Sequence, residues 1–362
     1  MADYTIYGSE LTASRGNEYE TKSLLYLVSI HKESKKMVYY VVDVFNDVSG
    51  ISEDGKFIVD VQSKAHKKMS PAQLGERLVT LFKNYISEFK FDDYILVVST
   101  LLSKKHLTNI ELNQREYDLI SLINNNALQL CKKGLKDKIK TYGIFKNMSI
   151  LKDEKELDDL IDSFLKNVHI FLANQSKSTY IKNILGDTYY QNDELFLEIF
   201  NEISKNQIFK KSYNNIENIV IHSPLDVLNF KRHLSYDQIQ VLICKRIIDN
   251  DYIANRTAVP ASFAVYLALK GILGEEQREI VSKCKDEIIV CMFNKNNQEL
   301  FWEGFMNMFS TLKKLENYDD LDDCYNHLNE DDFNKILLNN KNYYTRIYLL
   351  SMIIEGVKND KN

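Results

Sequence analysis

The sequence predicts two parts of different fold class. The first is an α/β domain, a mixed sheet flanked by helices, over residues 1–110 and extending to about 150 through a basic helical stretch. The second is a mainly α-helical region over residues 151–362. Three observations carry this expectation. Apolar or alternating segments of strand length, Met37–Phe45, Lys56–Lys64 and Tyr94–Thr100, all fall in the first 100 residues. From Ile110 onward nearly every segment has helical spacing. Gly (12) and Pro (3) are scarce in the 362 residues, well below usual shares of about 7% and 5%, so few positions suit the tight hairpins of an all-β fold.

Residues 1–13 read as a polar lead-in. A helix then opens at Ser14-Arg15-Gly16-Asn17, where Ser14 or Asn17 can cap it. Glu18 and Glu20 suit its first turn, and Tyr19, Leu24, Leu27 and Val28 give its apolar spacing. It should end near Ile30. Met37–Phe45 (MVYYVVDVF) has the pattern of a strand buried on both faces. Asn46–Gly50 makes a turn or short strand, and Asp54-Gly55 a further turn. In Lys56–Lys64 (KFIVDVQSK), Phe57, Val59 and Val61 share one face, while Ile58, Asp60, Gln62 and Lys64 share the other. Ser70-Pro71 starts a helix to about Phe89 with Leu74, Leu78, Leu81, Phe82 and Tyr85 as its stripe. After the turn at Asp92-Asp93, Tyr94–Thr100 is another buried strand.

The remainder reads as helices over 113–133, 153–172, 192–206, 235–250, 259–273, 275–293, 297–316 and 330–356, with a short strand at Asn218–His222. Residues 101–112 and 207–224 read as connectors. Phe301, Trp302, Phe305, Met306, Met308 and Phe309 follow helical spacing and read as core, with an assembly surface as the alternative. Asp319-Asp320-Leu321-Asp322-Asp323 lacks the glycine and final glutamate of a calcium loop and reads as a capped helix start.

The formal net charge of −5 is uneven. Residues 1–150 hold 21 Lys/Arg against 18 Asp/Glu, and the rest hold 25 against 33. The acidic total argues against a histone-like DNA coat, but the local field at a site decides contact. The five cysteines form no C-x-x-C and read as buried, reduced thiols of a cytoplasmic protein. The charged first 23 residues give no signal peptide, and no apolar run approaches the roughly 18 residues of a membrane span. The histidines form no metal-ligand pattern, and no G-x-x-x-x-G-K-[ST] is present, so an ATPase would be a separate chain.

The chemistry-bearing residues gather in the first 100 positions. Asp47 follows the first strand, and Gln62 and Lys64 end the second on one face. With strands about 4.8 Å apart, one ion can reach both. A divalent ion held there polarises a phosphate and lowers the pKa of a bound water. A lysine beside it orients that water and stabilises developing negative charge. Glu20, on the preceding helix, completes the group, and Asp60 on the same strand face is a candidate supporting carboxylate. The tripeptide alone has no value: D-x-K, E-x-K and Q-x-K recur elsewhere in the chain. The Gln62 copy is set apart by its context at the end of an apolar strand, after an acidic turn and before a capped helix.

This element order resembles the PD-(D/E)xK nuclease core, a restriction-endonuclease-like fold. Gly16-Asn17-Glu18-Tyr19-Glu20 is similar to the G-x-x-[FY]-[EQ] helix of Mrr-like nucleases. With Asp47 and Asp60-Val61-Gln62-Ser63-Lys64 it resembles the double-stranded DNA endonuclease effectors of bacterial antiphage defence, those of CBASS and their relatives in Lamassu-type and HerA-linked systems. The resemblance covers about residues 14–100. It implies a Mg²⁺ site, with Mn²⁺ as a substitute, in which Asp47 and Gln62 hold the metal, Glu20 assists and Lys64 orients the water. Gln62 stands where Glu or Asp is commoner, which removes one negative charge. The helical second part lacks the α/β sensor of the CBASS relatives. The resemblance therefore implies control by an ATPase subunit, SMC-like or HerA-type, and self-association when active.

Each residue also has a plainer reading: Asp47 as a turn residue, Glu20 as a first-turn acid and Lys64 as a solvated strand end. Asp43, alternating with Val42 and Val44, reads as a structural acid, with support of the site as its alternative. Lys67 and Lys68 directly after the site, and Lys132 and Lys133 in a second basic cluster, are candidate DNA contacts, with solvated loops or faces as the alternative. Two competing functions stay open, a non-catalytic assembly subunit with a vestigial nuclease fold and an RNA-directed nuclease.

Overall fold

The structure, a computed structural model, describes residues 3–6, 14–65, 68–108, 115–142, 154–185, 193–212, 215–247, 252, 257–315, 317–318 and 320–361. The chain forms two compact units, Met1–Ser176 with Ser204–Tyr236, and Lys177–Ile203 with Asp237–Asn362. The sheet unit thus extends past the expected limit at 110–150 and takes back a later segment. The reason is strand pairing: the sheet recruits Val168–Leu172 and His233–Ser235, both outside the expected domain.

In chain order the sheet unit contains β1 (Tyr4–Thr5), α1 (Ser14–Ser29), β2 (Met37–Val42), β3 (Val48–Ser52), β4 (Ile58–Lys64), α2 (Pro71–Arg77), α3 (Val79–Tyr85) and β5 (Asp93–Val98). There follow β6 (Glu116–Asp118), α4 (Leu119–Leu122), α5 (Asn125–Thr141), α6 (Glu154–Leu165) and β7 (Val168–Leu172). Helices α7 (Lys177–Leu185) and α8 (Asp193–Lys211) lead to β8 (Val220–Ile221) and β9 (His233–Ser235). Among the described residues the main sheet has seven strands in the order β6-β7-β5-β4-β3-β2-β9. β2, β3 and β4 form an antiparallel meander, β4, β5 and β7 run parallel, and β6 and β9 close the edges antiparallel. β1 and β8 pair separately. The sequence expectation of a mixed sheet flanked by helices holds.

α1 covers one face. Its Leu27 meets the open side of Gly50, whose register partner is Val59. α2 and α3 cover the other face, where Ile51, Ile58 and Leu96 join Leu78, Leu81 and Phe82 in a core shared with α5 and α6. Ser70 caps α2 with a capping box to Gln73 and Pro71 in the first turn, as the sequence indicates, but the helix is interrupted at Leu78.

α2 and α5 cross at two glycines. A Cβ on Gly75 would lie 1.9 Å from the Cys131 carbonyl oxygen, and one on Gly134 would lie 2.1 Å from that of Ala72. Backbone cannot yield as a side-chain tip can. Gly75→Ala or Gly134→Ala is expected to destabilise the sheet unit by about 1–3 kcal/mol by forced separation of the helices, although alanine is the better helix former by about 1 kcal/mol. Urea denaturation followed by circular dichroism checks this.

Several sequence expectations need correction. Residues 153–172 are not one helix: α6 stops at Leu165, and Val168–Leu172 forms a strand beside β5. The apolar VHIFL run suits either period, and its parallel neighbour decides it. The helix expected over 113–133 begins instead as β6 and α4, and Asn124 then caps α5 through the Ala127 amide. Residues 207–211 belong to α8 rather than to a connector.

The second unit is helical, as expected. It holds α7, the first part of α8, α9 (Tyr236–Ile247), α10 (Ala261–Leu269), α11 (Gly274–Met292), α12 (Gln298–Lys313), α13 (Leu321–Asn326), α14 (Glu330–Ile336) and α15 (Tyr343–Lys361). The helix expected over 330–356 is broken where Leu338 and Asn339 take positive φ. Phe301, Trp302, Phe305, Met306, Met308 and Phe309 are all core, and Trp302 Nε1 donates to Gln240 Oε1 at 2.8 Å. Asp320 caps α13 through the Asp322 and Asp323 amides, which is the capped start expected of that acidic run. All five cysteines are buried free thiols. Among the described residues no helix is long and apolar enough to cross a membrane.

Candidate active site

The register of the meander builds the site. Val42 pairs with Val48, leaving residues 43–47 as the connecting loop. Val48 pairs with Val61, so Asp47 falls beside Gln62. β3 begins at Val48, so no strand residue faces the amide of Ser63. Asp47 takes that role: its Oδ2 accepts from Ser63 N at 2.7 Å, Ser63 Oγ at 2.7 Å and Gln62 Nε2 at 2.5 Å. The sequence expectation brought Asp47 to Gln62 by direct adjacency of their strands. In the structure β3 lies between β2 and β4, and Asp47 reaches β4 because it leads into β3.

Gln62 is 3% exposed, and its Oε1 accepts from Thr80 Oγ1 of α3 at 2.7 Å. Lys64 ends β4, half-buried, two residues on along the same face. Among the described residues it has no hydrogen-bond or ion-pair partner, so its ammonium is available to a ligand.

Asp60, the third polar residue of that face, is fully buried. It accepts from Asn46 Nδ2 at 2.5 Å, Asn84 Nδ2 at 2.6 Å and Ser49 Oγ at 3.1 Å. Lys83 lies beside it, donating to Tyr4 Oη at 2.6 Å and to the Phe45 carbonyl at 3.4 Å. Burial raises the Asp60 carboxyl against the opposing pull of Asn84 and Lys83, and burial lowers the Lys83 ammonium against the attraction of Asp60. Asp60 thus grips Asn46, the neighbour of Asp47, from beneath. Its oxygens are spent on that framework, which suits a supporting carboxylate.

Glu20 follows a different course. α1 runs antiparallel to β4, since Tyr26 and His31 near its C-terminal end reach Glu116 and Asp93, the latter at the start of β5. Its N-terminal half therefore lies toward the Asp47 end of the sheet, but over the face opposite Gln62 and Lys64. Glu20 is buried there and pairs with Lys211 of α8, while the adjacent Thr21 donates to Gln207 Oε1 at 2.8 Å.

The basic residues also divide. Lys67 lies outside the described residues, and Lys68 is exposed. Lys132 is committed to Asp162, the first rung of a ladder between α5 and α6. Lys136–Asp158 at 2.8 Å and Lys140–Glu154 at 2.7 Å complete that ladder. Lys133 is exposed on the same helix.

Asn46, Ser63, Thr80, Lys83, Asn84 and Arg232 join the site without having been singled out in the sequence, and Asp43 joins it in the supporting position that is its alternative reading. One signal was present. Thr80, Lys83 and Asn84 stand at helical spacing inside an apolar helix, and Asp60 and Gln62 stand at strand spacing on an apolar strand. Two polar stripes on apolar elements, buried at Asp60, Gln62, Lys83 and Asn84, need each other as partners.

Among the described residues no three His, Cys, Asp or Glu side chains are placed to hold a metal ion. Mg²⁺ is commonly held by one or two carboxylates together with waters and substrate phosphates. Asp47 meets that minimum: its Oδ2 carries the hydrogen bonds, and its Oδ1 makes none among the described residues. Gln62 adds its amide oxygen if the amide turns over, and Thr80 accommodates the turn because a hydroxyl accepts as well as donates. The donor set fits a weakly held Mg²⁺ completed by a phosphate. No family model, no curated protein and no solved structure matches the chain.

Proposed function

We propose that this chain is a Mg²⁺-dependent endonuclease acting on double-stranded DNA, a cytoplasmic effector of bacterial antiphage defence. In this reading an ATPase subunit, SMC-like or HerA-type, and self-association govern its activity. The observation that carries the reading is the contact of Asp47 with Gln62 at the end of β4, with Lys64 two residues on along the same strand face and unpaired among the described residues. A bound Mg²⁺ supplies charge neutralisation at the phosphate and an acidified water. Asp47 and Gln62 would hold it. Lys64 orients the attacking water and stabilises charge building on the phosphate oxygens. Lys68 extends positive charge from the site toward the DNA backbone.

A specific observation favours a second reading, the non-catalytic assembly subunit. Glu20 is given to Lys211, and Asp47 Oδ2 is saturated by Ser63 and Gln62.

The test is digestion of supercoiled plasmid and of structured RNA, with an SMC-like or HerA-type ATPase partner present or absent. The expected result is plasmid nicking and linearisation with Mg²⁺ or Mn²⁺, stopped by EDTA and reduced at least about a hundredfold by Asp47→Ala. Cleavage of RNA alone would establish the RNA-directed alternative. No cleavage of either, with the partner present, would leave the assembly subunit.

A further inference from the structure

We infer that Arg232 is a positioning residue for Asp47, acting through Asp43. The inference rests on the proposed site for its functional meaning, not for its geometry.

Asp43 has φ 57°, in the left-handed region that few L side chains other than Asn and Asp adopt. The choice of that conformation fixes the direction of its carbonyl, which a partner can then hold. Arg232 Nη1 donates to the Asp43 carbonyl at 3.2 Å and to its Oδ2 at 3.4 Å, across 189 residues of sequence. Arg232 is 8% exposed, so the contact is desolvated and directional. Its own backbone is fixed twice. Lys231, with φ 58°, closes the turn Pro224–Phe230 that Ser223 and Asp226 cap. The Val42 amide donates to the Arg232 carbonyl at 2.8 Å, prolonging the β2–β9 ladder.

The line then continues to the site. The Asp43 amide donates to the Asp47 carbonyl at 3.1 Å, closing the loop on itself. The position of that carbonyl sets where the Asp47 carboxylate meets the Ser63 amide. Residues Ser204–Tyr236 belong to the sheet unit, while the stretches on either side belong to the helical unit, so Arg232 arrives on a segment whose two ends are both continuous with helices of that unit. A sheet domain cut from the chain at residue 176 would lack it.

The experiment uses the full chain and reads the Ser63 amide, whose acceptor is Asp47 Oδ2. Hydrogen exchange at residue resolution is measured for the native chain, Arg232→Ala, Arg232→Lys, Asp43→Asn and the pair Arg232→Ala with Asp43→Asn. Asparagine tolerates positive φ as aspartate does, so Asp43→Asn removes the charge and keeps the backbone conformation. Arg232→Ala is expected to speed exchange at Ser63 at least tenfold with Leu96 in β5 unchanged, Arg232→Lys to recover most of the protection, and the pair to add nothing to Arg232→Ala alone. Unchanged Ser63 exchange in Arg232→Ala, or additive effects in the pair, would overturn the inference. If Arg232→Ala does not fold, Arg232→Lys and Asp43→Asn decide it: native Ser63 exchange in both overturns it, and faster exchange in Asp43→Asn supports it. In a chain that cuts DNA, Arg232→Ala should lower kcat at least tenfold with KM for DNA unchanged. Faster Ser63 exchange in a chain that never cuts DNA sinks the nuclease reading and leaves the positioning role standing.

Discussion

Asp60→Ala is expected to lower the stability of the sheet unit by about 2–4 kcal/mol, from buried donors left without their acceptor and a nearby buried ammonium left without an opposing charge. Two losses combine. Asn46, Ser49 and Asn84 lose their shared acceptor, and Lys83 is left as a buried ammonium without its counter-charge. Removing both charges tells these apart: Asp60→Asn with Lys83→Met should recover most of the loss, because a buried pair replaced by neutral groups of similar size is often close to neutral in stability. The pH dependence follows from the shifts. Burial raises Asp60 to about 6, so its contribution is present below its unfolded value near 4 and is lost as pH rises through about 6. Burial lowers Lys83 to about 8, so its contribution is present above its unfolded value and is lost as pH falls through about 8. Lys83→Met removes the attraction that helps Asp60 ionise. Its stability should therefore decline with the native chain's from pH 4 upward but keep falling above pH 6, where the native chain's Asp60 contribution levels off. The single Trp, Trp302, lies in the helical unit, so circular dichroism or calorimetry should follow the transition.

The same network explains which parts of the site the sequence reveals. Asp47, Gln62 and Lys64 are legible because each lies within a single strand or its adjoining turn, where period-2 alternation and turn chemistry act over a few residues. The hairpin that delivers Asp47 is half-legible: Val48–Ser52 is too short and too rich in Ser and Gly to declare itself a strand, and it becomes one through pairing on both sides. Arg232 and Lys211 cannot be read at all. Nothing local to either marks its partner, and the contacts exist because the chain leaves the sheet unit and returns to it. The same holds for β7, whose apolar run fits a helix until a parallel neighbour makes it a strand. Glu20 shows the limit of motif spacing: its position on α1 follows from helical periodicity, but the partner of its carboxylate is set by α8.

Lys64→Ala is expected to reduce DNA cleavage by about 10²–10³-fold, the usual effect of deleting one preorganised charge-stabilising group, while leaving the fold intact. The separation of the two effects gives this substitution its force. Asp47 cannot be removed cleanly, because its Oδ2 satisfies the Ser63 amide and hydroxyl as well as Gln62. Gln62 cannot either, being buried between Asp47 and Thr80. Lys64 is half-buried at the last position of β4 and makes no ion pair among the described residues. Its truncation should change stability by no more than about 0.5 kcal/mol, as at other sites without a buried partner. A solvated strand end therefore leaves both stability and cleavage near native, whereas a group acting on the phosphate leaves stability alone and removes cleavage. Lys64→Arg refines the distinction. It keeps the charge but exchanges a compact ammonium for a broad planar fork, so partial activity at unchanged KM for DNA assigns Lys64 to the reacting phosphate and water. Full activity would make it a general electrostatic contact. Cleavage at the native rate in Lys64→Ala would sink the assigned site.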